Sequence, residues 1–220
     1  VMHDSVKKLN NIINSITSKL EEEKISKIPK IIAVSKTFDL EKIIPLIEFG
    51  HLDYGENKVQ EAIDKWNEIK IKRSDIKLHL IGKLQSNKVK YALKIFDYIH
   101  SLDSEKIAKK IYDEQLKQNK KVKLFIQVNI GNEDQKSGVN KNELHNLYNY
   151  CRKLNLDVIG LMCIPPFNED PEKYFKETNL LKNELNLLEL SMGMSSDYIK
   201  AIRNSSTYLR IGSNIFGKRS

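Results

Sequence analysis

Arginine is scarce in this sequence. Of 37 basic residues in 220, only Arg73, Arg152, Arg203, Arg210 and Arg219 carry a guanidinium. The rest are lysines, spread along the chain among 29 acidic residues for a net charge of +8. Readers of nucleic-acid bases favour arginine for its bidentate geometry and gather their charge on one face. That pattern is missing, so no dedicated nucleic-acid site is expected, only a weak, salt-sensitive attraction to polyanions. Cysteine is scarcer still. Cys151 and Cys163 form neither a CxxC pair nor a metal-ligand spacing, so no disulfide framework and no metal site are expected. They read as two buried thiols in a reducing compartment. No apolar run approaches the roughly 20 residues that span a bilayer. The opening Val1-Met2-His3-Asp4 lacks the apolar core of a secretory signal. The expectation is a soluble cytoplasmic protein with no membrane contact. The Gly-rich GxGxxG turn of open dinucleotide-binding sheets is also missing.

What is present is a regular alternation. Ser5 to Glu23 carries Val6, Leu9, Ile12, Ile13, Ile16 and Leu20, spaced as one face of a helix. Ile31 to Ser35 is a short β-branched run that reads as a buried parallel strand. Asp39 stands at the N-cap of a helix running to Phe49 and closed by Gly50. Further strands are predicted near Leu52–Tyr54, Lys77–Ile81, Tyr98–Ser101, Val122–Ile130, Val158–Ile164, Glu189–Met192 and Tyr208–Ile211. Helical patterns fall between them, near Lys58–Ile69, Ser86–Ile95, Ser104–Gln118, Lys141–Lys153, Pro171–Leu187 and Asp197–Asn204. Eight strands alternating with helices predict an α/β fold, a single TIM-type (β/α)8 barrel. The domain would span residues 1–220, with residues 1–29 forming an extra N-terminal helix outside the barrel.

Barrels of this kind expose their chemistry at the C-terminal ends of the strands. Lys36 ends the first strand. An amine with its stem in apolar surroundings and cations nearby loses basicity from about 10.4 and becomes free to condense with a carbonyl. Position alone favours a solvated lysine in so lysine-rich a chain. The segment Ser191-Met-Gly-Met-Ser-Ser-Asp197 leads from a strand into a helix, and Arg210-Ile-Gly-Ser213 ends the last strand before a turn at Asn214-Ile215-Phe216. Small residues in two such neighbouring loops let backbone approach an anion, as in the phosphate site after the last two barrel strands. Arg210 could donate to a heterocycle nitrogen of a ligand held by Lys36, which would keep that ring a poor electron sink, or else serve a surface ion pair. Glu56 and Asn57 could orient Lys36 or a ring hydroxyl, with helix capping by Asn57 equally open. His79 and His100 read as hydrogen-bonded structural histidines, and Cys163 as buried. The segment Asp134 to Gly138 reads as a loop able to carry Lys136 toward the barrel mouth.

Several longer motifs occur in order: Ala33-Val-Ser-Lys-Thr37, Tyr54-Gly-Glu-Asn57, His79-Leu-Ile-Gly-Lys-Leu-Gln-Ser-Asn-Lys88, Lys136-Ser-Gly138, Gly160-Leu-Met162, Ser191-Met-Gly-Met-Ser195 and Arg210-Ile-Gly-Ser-Asn-Ile-Phe-Gly217. From about Ile31 onward the chain closely resembles the pyridoxal phosphate homeostasis protein family. The resemblance implies a barrel like the N-terminal domain of alanine racemase, with pyridoxal 5′-phosphate (PLP) held on Lys36 as an internal aldimine. By the same resemblance Ser195, Gly212 and Ser213 would hold the phosphate, Arg210 would face the pyridine nitrogen and Asn57 would join the cofactor site. Many family members carry threonine where Ser213 stands, and serine keeps the hydroxyl. The implied role is to buffer PLP and deliver it to PLP-dependent apo-enzymes, as a monomer and without efficient catalysis. A small PLP-dependent racemase or lyase acting through Lys36 is the alternative. Racemisation needs a base on each face of the substrate carbon, and a barrel consumes roughly 200–250 residues, leaving no room for a second domain to supply one.

Overall fold

Short strands rich in isoleucine, leucine and valine on both faces belong in a sheet that is covered on both sides. In the computed structural model, which describes residues 1–218, they close into a barrel; Arg219 and Ser220 lie outside the described residues. The strands are β1 (Lys30–Val34), β2 (Asp53–Glu56), β3 (Lys77–Leu80), β4 (Tyr98–Leu102), β5 (Lys123–Val128), β6 (Val158–Cys163), β7 (Glu189–Ser191) and β8 (Tyr208–Ile211). They follow one another in chain order around a closed sheet. Closure pairs β1 with β8 in parallel, Ile32 opposite Arg210 and Ala33 opposite Ile211. That register brings Lys36 and the Gly212-Ser213 turn, far apart in sequence, to the same rim.

The helices are α1 (Asp4–Glu22), α2 (Leu40–Phe49), α3 (Val59–Lys72), α4 (Val89–Ile95), α5 (Glu105–Gln118), α6 (Leu144–Lys153), α7 (Glu172–Glu184), α8 (Tyr198–Arg203) and α9 (Ser213–Phe216). The expected (β/α)8 barrel with an extra N-terminal helix is therefore the fold observed. Helix α1 buries Val6, Leu9, Ile12, Ile16 and Leu20 and packs outside the barrel on α2, α8 and α9. Helix α2 stops at Gly50, whose φ of 101° lets its N–H turn back to the carbonyls of Leu46 and Ile47. Asp39 stands at the N-cap of α2 but makes no side-chain capping bond.

The apolar interior has two parts. Between strands and helices lies a large layer that includes Leu46, Trp66, Phe96 and Phe175, all fully buried. Burial of each such side chain contributes about 1.5–3 kcal/mol. Inside the barrel a smaller cluster holds Ile32, Tyr98, Phe125, Met162 and Tyr208. Among the described residues no helix is long and apolar enough to cross a membrane.

Candidate functional site

The C-terminal rim encloses a cavity of about 620 Å³ lined by Lys36, Asn57, Ser195, Arg210, Gly212 and Ser213, all six of the residues singled out in the sequence. Val34, Ile81, Ile164, Phe167 and Met194 supply its apolar wall. A volume of this size and a mostly apolar wall with a few convergent polar groups suit a small organic ligand.

Lys36 is half-buried, two residues past the end of β1 and next to the buried Ser35. The backbone on both sides of it is tied to α3. Lys65 Nζ donates to the Ser35 carbonyl at 2.8 Å, and the Thr37 N–H donates to Glu61 Oε1 at 2.5 Å. Thr37 has φ 68°, a left-handed conformation that costs a non-glycine residue energy unless its surroundings hold it. Behind this turn lies Glu56, fully buried, whose Oε1 accepts from Ser35 Oγ at 3.0 Å, Lys65 Nζ at 2.9 Å and Trp66 Nε1 at 2.9 Å. Burial pushes the Glu56 carboxyl above its ordinary range, against the pull of Lys65 and Trp66. Glu56 thus faces the supports of the Lys36 turn and does not line the cavity. Asn57 does line it, and it is no helix cap: the N-cap of α3 is Lys58. Gly82 lets the loop after β3 pass over Asn57, since a Cβ there would lie 2.4 Å from the Asn57 carbonyl oxygen.

The opposite side is built from the ends of β7 and β8. Gly193 takes φ 101° and lies so close to α8 that a Cβ would meet the Ala201 Cβ at 2.7 Å. That close approach directs Met194 to Ser196 to the cavity. The loops after β7 and β8 are stitched together at Ser195, where the Asn214 N–H donates to Oγ at 3.3 Å and Asn214 Nδ2 donates to the carbonyl at 3.0 Å. Gly212 is buried and Ser213 exposed, next to Ser195 and Ser196 in the cavity wall. Helices α8 and α9 are only six and four residues long, so these hydroxyls and loop amides, more than any helix dipole, are the groups an anion in this corner would meet.

Arg210 is 4% exposed. Its Nη1 donates to Ser191 Oγ at 2.6 Å and its Nη2 to the Cys163 carbonyl at 3.0 Å. It is therefore no surface ion pair; its guanidinium is fixed in the barrel and borders the cavity. Cys163 is fully buried, and burial pushes its thiol up to about 11, so it stays protonated and unreactive at neutral pH. His79 and His100 are both fully buried and hydrogen-bonded. Lys136 does not reach this cavity. It pairs with Glu133 and lines a separate one with Lys83, Ser86, Asp103 and Lys106. Glu61, Lys65 and Trp66 were not legible as site supports. Glu61 and Lys65 pair across one turn of α3 at 3.2 Å, but nothing in the sequence says which strand end they meet.

The model of the alanine racemase N-terminal domain matches residues 14–220. A pyridoxal phosphate homeostasis protein of Aquifex aeolicus is 40% identical over 200 residues, covering 86% of this chain and 87% of that protein. The solved structure of PipY from Synechococcus elongatus PCC7942 with PLP bound is 32% identical, with a TM-score of 0.81, and covers 92% of this chain and 100% of that one. An alanine racemase of Clostridium difficile shares the fold at a TM-score of 0.72 and 16% identity; 98% of this chain matches 57% of that one. The chain belongs to the alanine racemase N-terminal domain family and, within it, to the pyridoxal phosphate homeostasis proteins.

Proposed function

We propose that this protein binds PLP covalently through Lys36 and serves as a carrier that buffers the cofactor and releases it to PLP-dependent apo-enzymes. The observation that carries the proposal is the convergence of an amine, a buried guanidinium and a hydroxyl-rich corner on one cavity of about 620 Å³. Bound PLP supplies an aldehyde that condenses with a primary amine, with loss of water, and a ring that absorbs visible light. The donor set fits that group. Lys36 would take the aldehyde end, Ser195, Gly212 and Ser213 the phosphate, and Arg210 the pyridine nitrogen. Asn57 would border the ring, between the walls of Ile81 and Ile164. Arginine has donors and no acceptor, so the nitrogen it meets must accept. A ring nitrogen kept unprotonated draws electrons weakly, which suits storage better than turnover.

The cavity also supports the carrier over a racemase. Among the described residues that line it, Lys36 is the one side chain of a type that commonly serves as a general acid or base. Racemisation requires a second such group on the opposite face. The proposed setting is the cytoplasm, in keeping with two free, buried cysteines, and the proposed working form is a monomer.

Titration of the protein with PLP, followed by its absorbance spectrum, tests the central step. Wild type is expected to develop a protein-bound visible band that free PLP lacks, and Lys36→Ala to bind weakly without it. An identical band in Lys36→Ala would contradict the assignment. Amino-acid turnover far above that of free PLP would favour the racemase.

A further inference from the structure

Barrels of this type fill their interior with branched aliphatic side chains. Here the interior carries a line of polar groups from one end to the other. Arg210 Nη1 lies 2.6 Å from Ser191 Oγ, which lies 2.7 Å from His100 Nδ1. His100 Nε2 lies 2.9 Å from His79 Nδ1, and His79 Nε2 lies 2.8 Å from Asp53 Oδ1. The two imidazoles are held flat between rings: His79 stacks on Tyr98 at 4.2 Å and His100 on Phe125 at 4.3 Å.

The two ends dictate the direction of every bond. A guanidinium only donates and a carboxylate only accepts; a neutral histidine does one of each, and serine donates once while accepting up to twice. The chain therefore runs Arg210 to Ser191, Ser191 to His100 Nδ1, His100 Nε2–H to His79 Nδ1, and His79 Nε2–H to Asp53. With both rings neutral each ring nitrogen is committed, and a second proton on His79 Nδ1 would face His100 Nε2–H and force the bonds from there to Ser191 to reverse. Burial, the largest influence on both rings, lowers their basicity. Asp53 and Asp97 oppose it at His79 and Lys30 reinforces it, while His79 and Arg210 reinforce it at His100. No carboxylate pairs directly with Arg210 among the described residues; Asp197 acts on it only through space.

We propose that Ser191, His100, His79 and Asp53 form a positioning relay for Arg210, a hydrogen-bonded line anchored on Asp53 that fixes the guanidinium at the cavity. The proposal rests on the PLP assignment only in naming the group that Arg210 meets. With no carboxylate hydrogen-bonded to it among the described residues, Arg210 keeps further N–H donors for a group in the cavity it borders. Asp53 stands four residues before Asn57, about 13 Å along the strand, so it acts through the chain and not by contact.

Two measurements decide it. In the protein without cofactor, ¹⁵N NMR of the imidazoles is expected to find His79 and His100 both neutral and both in the Nε2–H form at pH 7. Asp53→Asn, which keeps the shape and one acceptor oxygen, is expected to shift the Arg210 guanidinium signals. The same variant should weaken PLP binding about threefold, and His100→Phe about tenfold or more, each with a displaced absorbance maximum. Either ring in the Nδ1–H form, or guanidinium signals unmoved by Asp53→Asn, would overturn the relay even if His100→Phe fails to fold. If wild type does not bind PLP, the functional proposal falls, and the tautomer and guanidinium signals still judge the relay.

Discussion

The layer outside the barrel wall and the space inside it use opposite materials. Outside, Leu46, Trp66, Phe96 and Phe175 fill the gap between strands and helices with apolar bulk. Inside, imidazoles, a guanidinium and a serine hydroxyl run between aromatic rings. Apolar packing is non-directional and depends mainly on volume, so the outer layer holds the fold while specifying little chemistry. A hydrogen-bonded chain in a low-dielectric interior is directional, and every member must be satisfied. The outer layer thus makes the barrel, and the inner line orients a group at its mouth.

Two substitutions of equal expected cost separate those roles. Phe175→Ala, in the outer layer, should destabilise the protein by about 3–5 kcal/mol through lost burial and a cavity, with PLP affinity of the folded protein unchanged. Lys65→Met strips the buried Glu56 of its cation and should also cost about 3–5 kcal/mol. It additionally frees the Ser35 carbonyl beside Lys36, so PLP affinity should fall as well. Urea unfolding and cofactor titration of both variants check the contrast, and equal affinity losses would erase it.

A smaller effect concerns acid. His51, His79 and His100 are all held below their ordinary basicity by burial, so they are neutral in the fold while the unfolded chain protonates them. Their stabilisation is complete above about pH 6.5 and is lost as the pH falls toward their lowered folded values. Each contributes up to about 1.4 kcal/mol per pH unit in that window, and His100→Phe should flatten the slope by that amount. Unfolding measured at several pH values between 5 and 7 tests it; a slope unchanged in His100→Phe would contradict the neutral chain. Smallest of all, Ser213→Ala should weaken PLP binding a few-fold by losing one hydroxyl, while Ser213→Thr should leave it within about twofold. Equal losses in both would remove the hydroxyl from the phosphate corner.

The same division explains what the sequence revealed. Helix and strand positions followed from apolar periodicity because the outer layer is built from it, and predicted boundaries such as Tyr208–Ile211 match those observed. Lys36, Ser195, Arg210 and Ser213 are legible because they stand at or just past strand ends, where a barrel converges whatever its register. The inner line was not. Its hydrogen-bonded neighbours are separated by as many as 91 positions, between His100 and Ser191, and they meet only through strand register across the barrel. Alternation of His79 and His100 with apolar residues marked them as inward-facing but named no partner. Asn57 left its role open because the helix start it precedes is capped by Lys58 with no side-chain bond. The loop that reads as able to carry Lys136 toward the mouth lines a neighbouring cavity with Lys83 and Lys106.

Borohydride reduction of the PLP-loaded protein, followed by peptide mapping, tests the account at its centre. The prediction is one reduced pyridoxyl adduct per chain, on the peptide containing Lys36, with the other lysines unmodified. Label on Lys136 or scattered over surface lysines, with Lys36 unmodified, would contradict it.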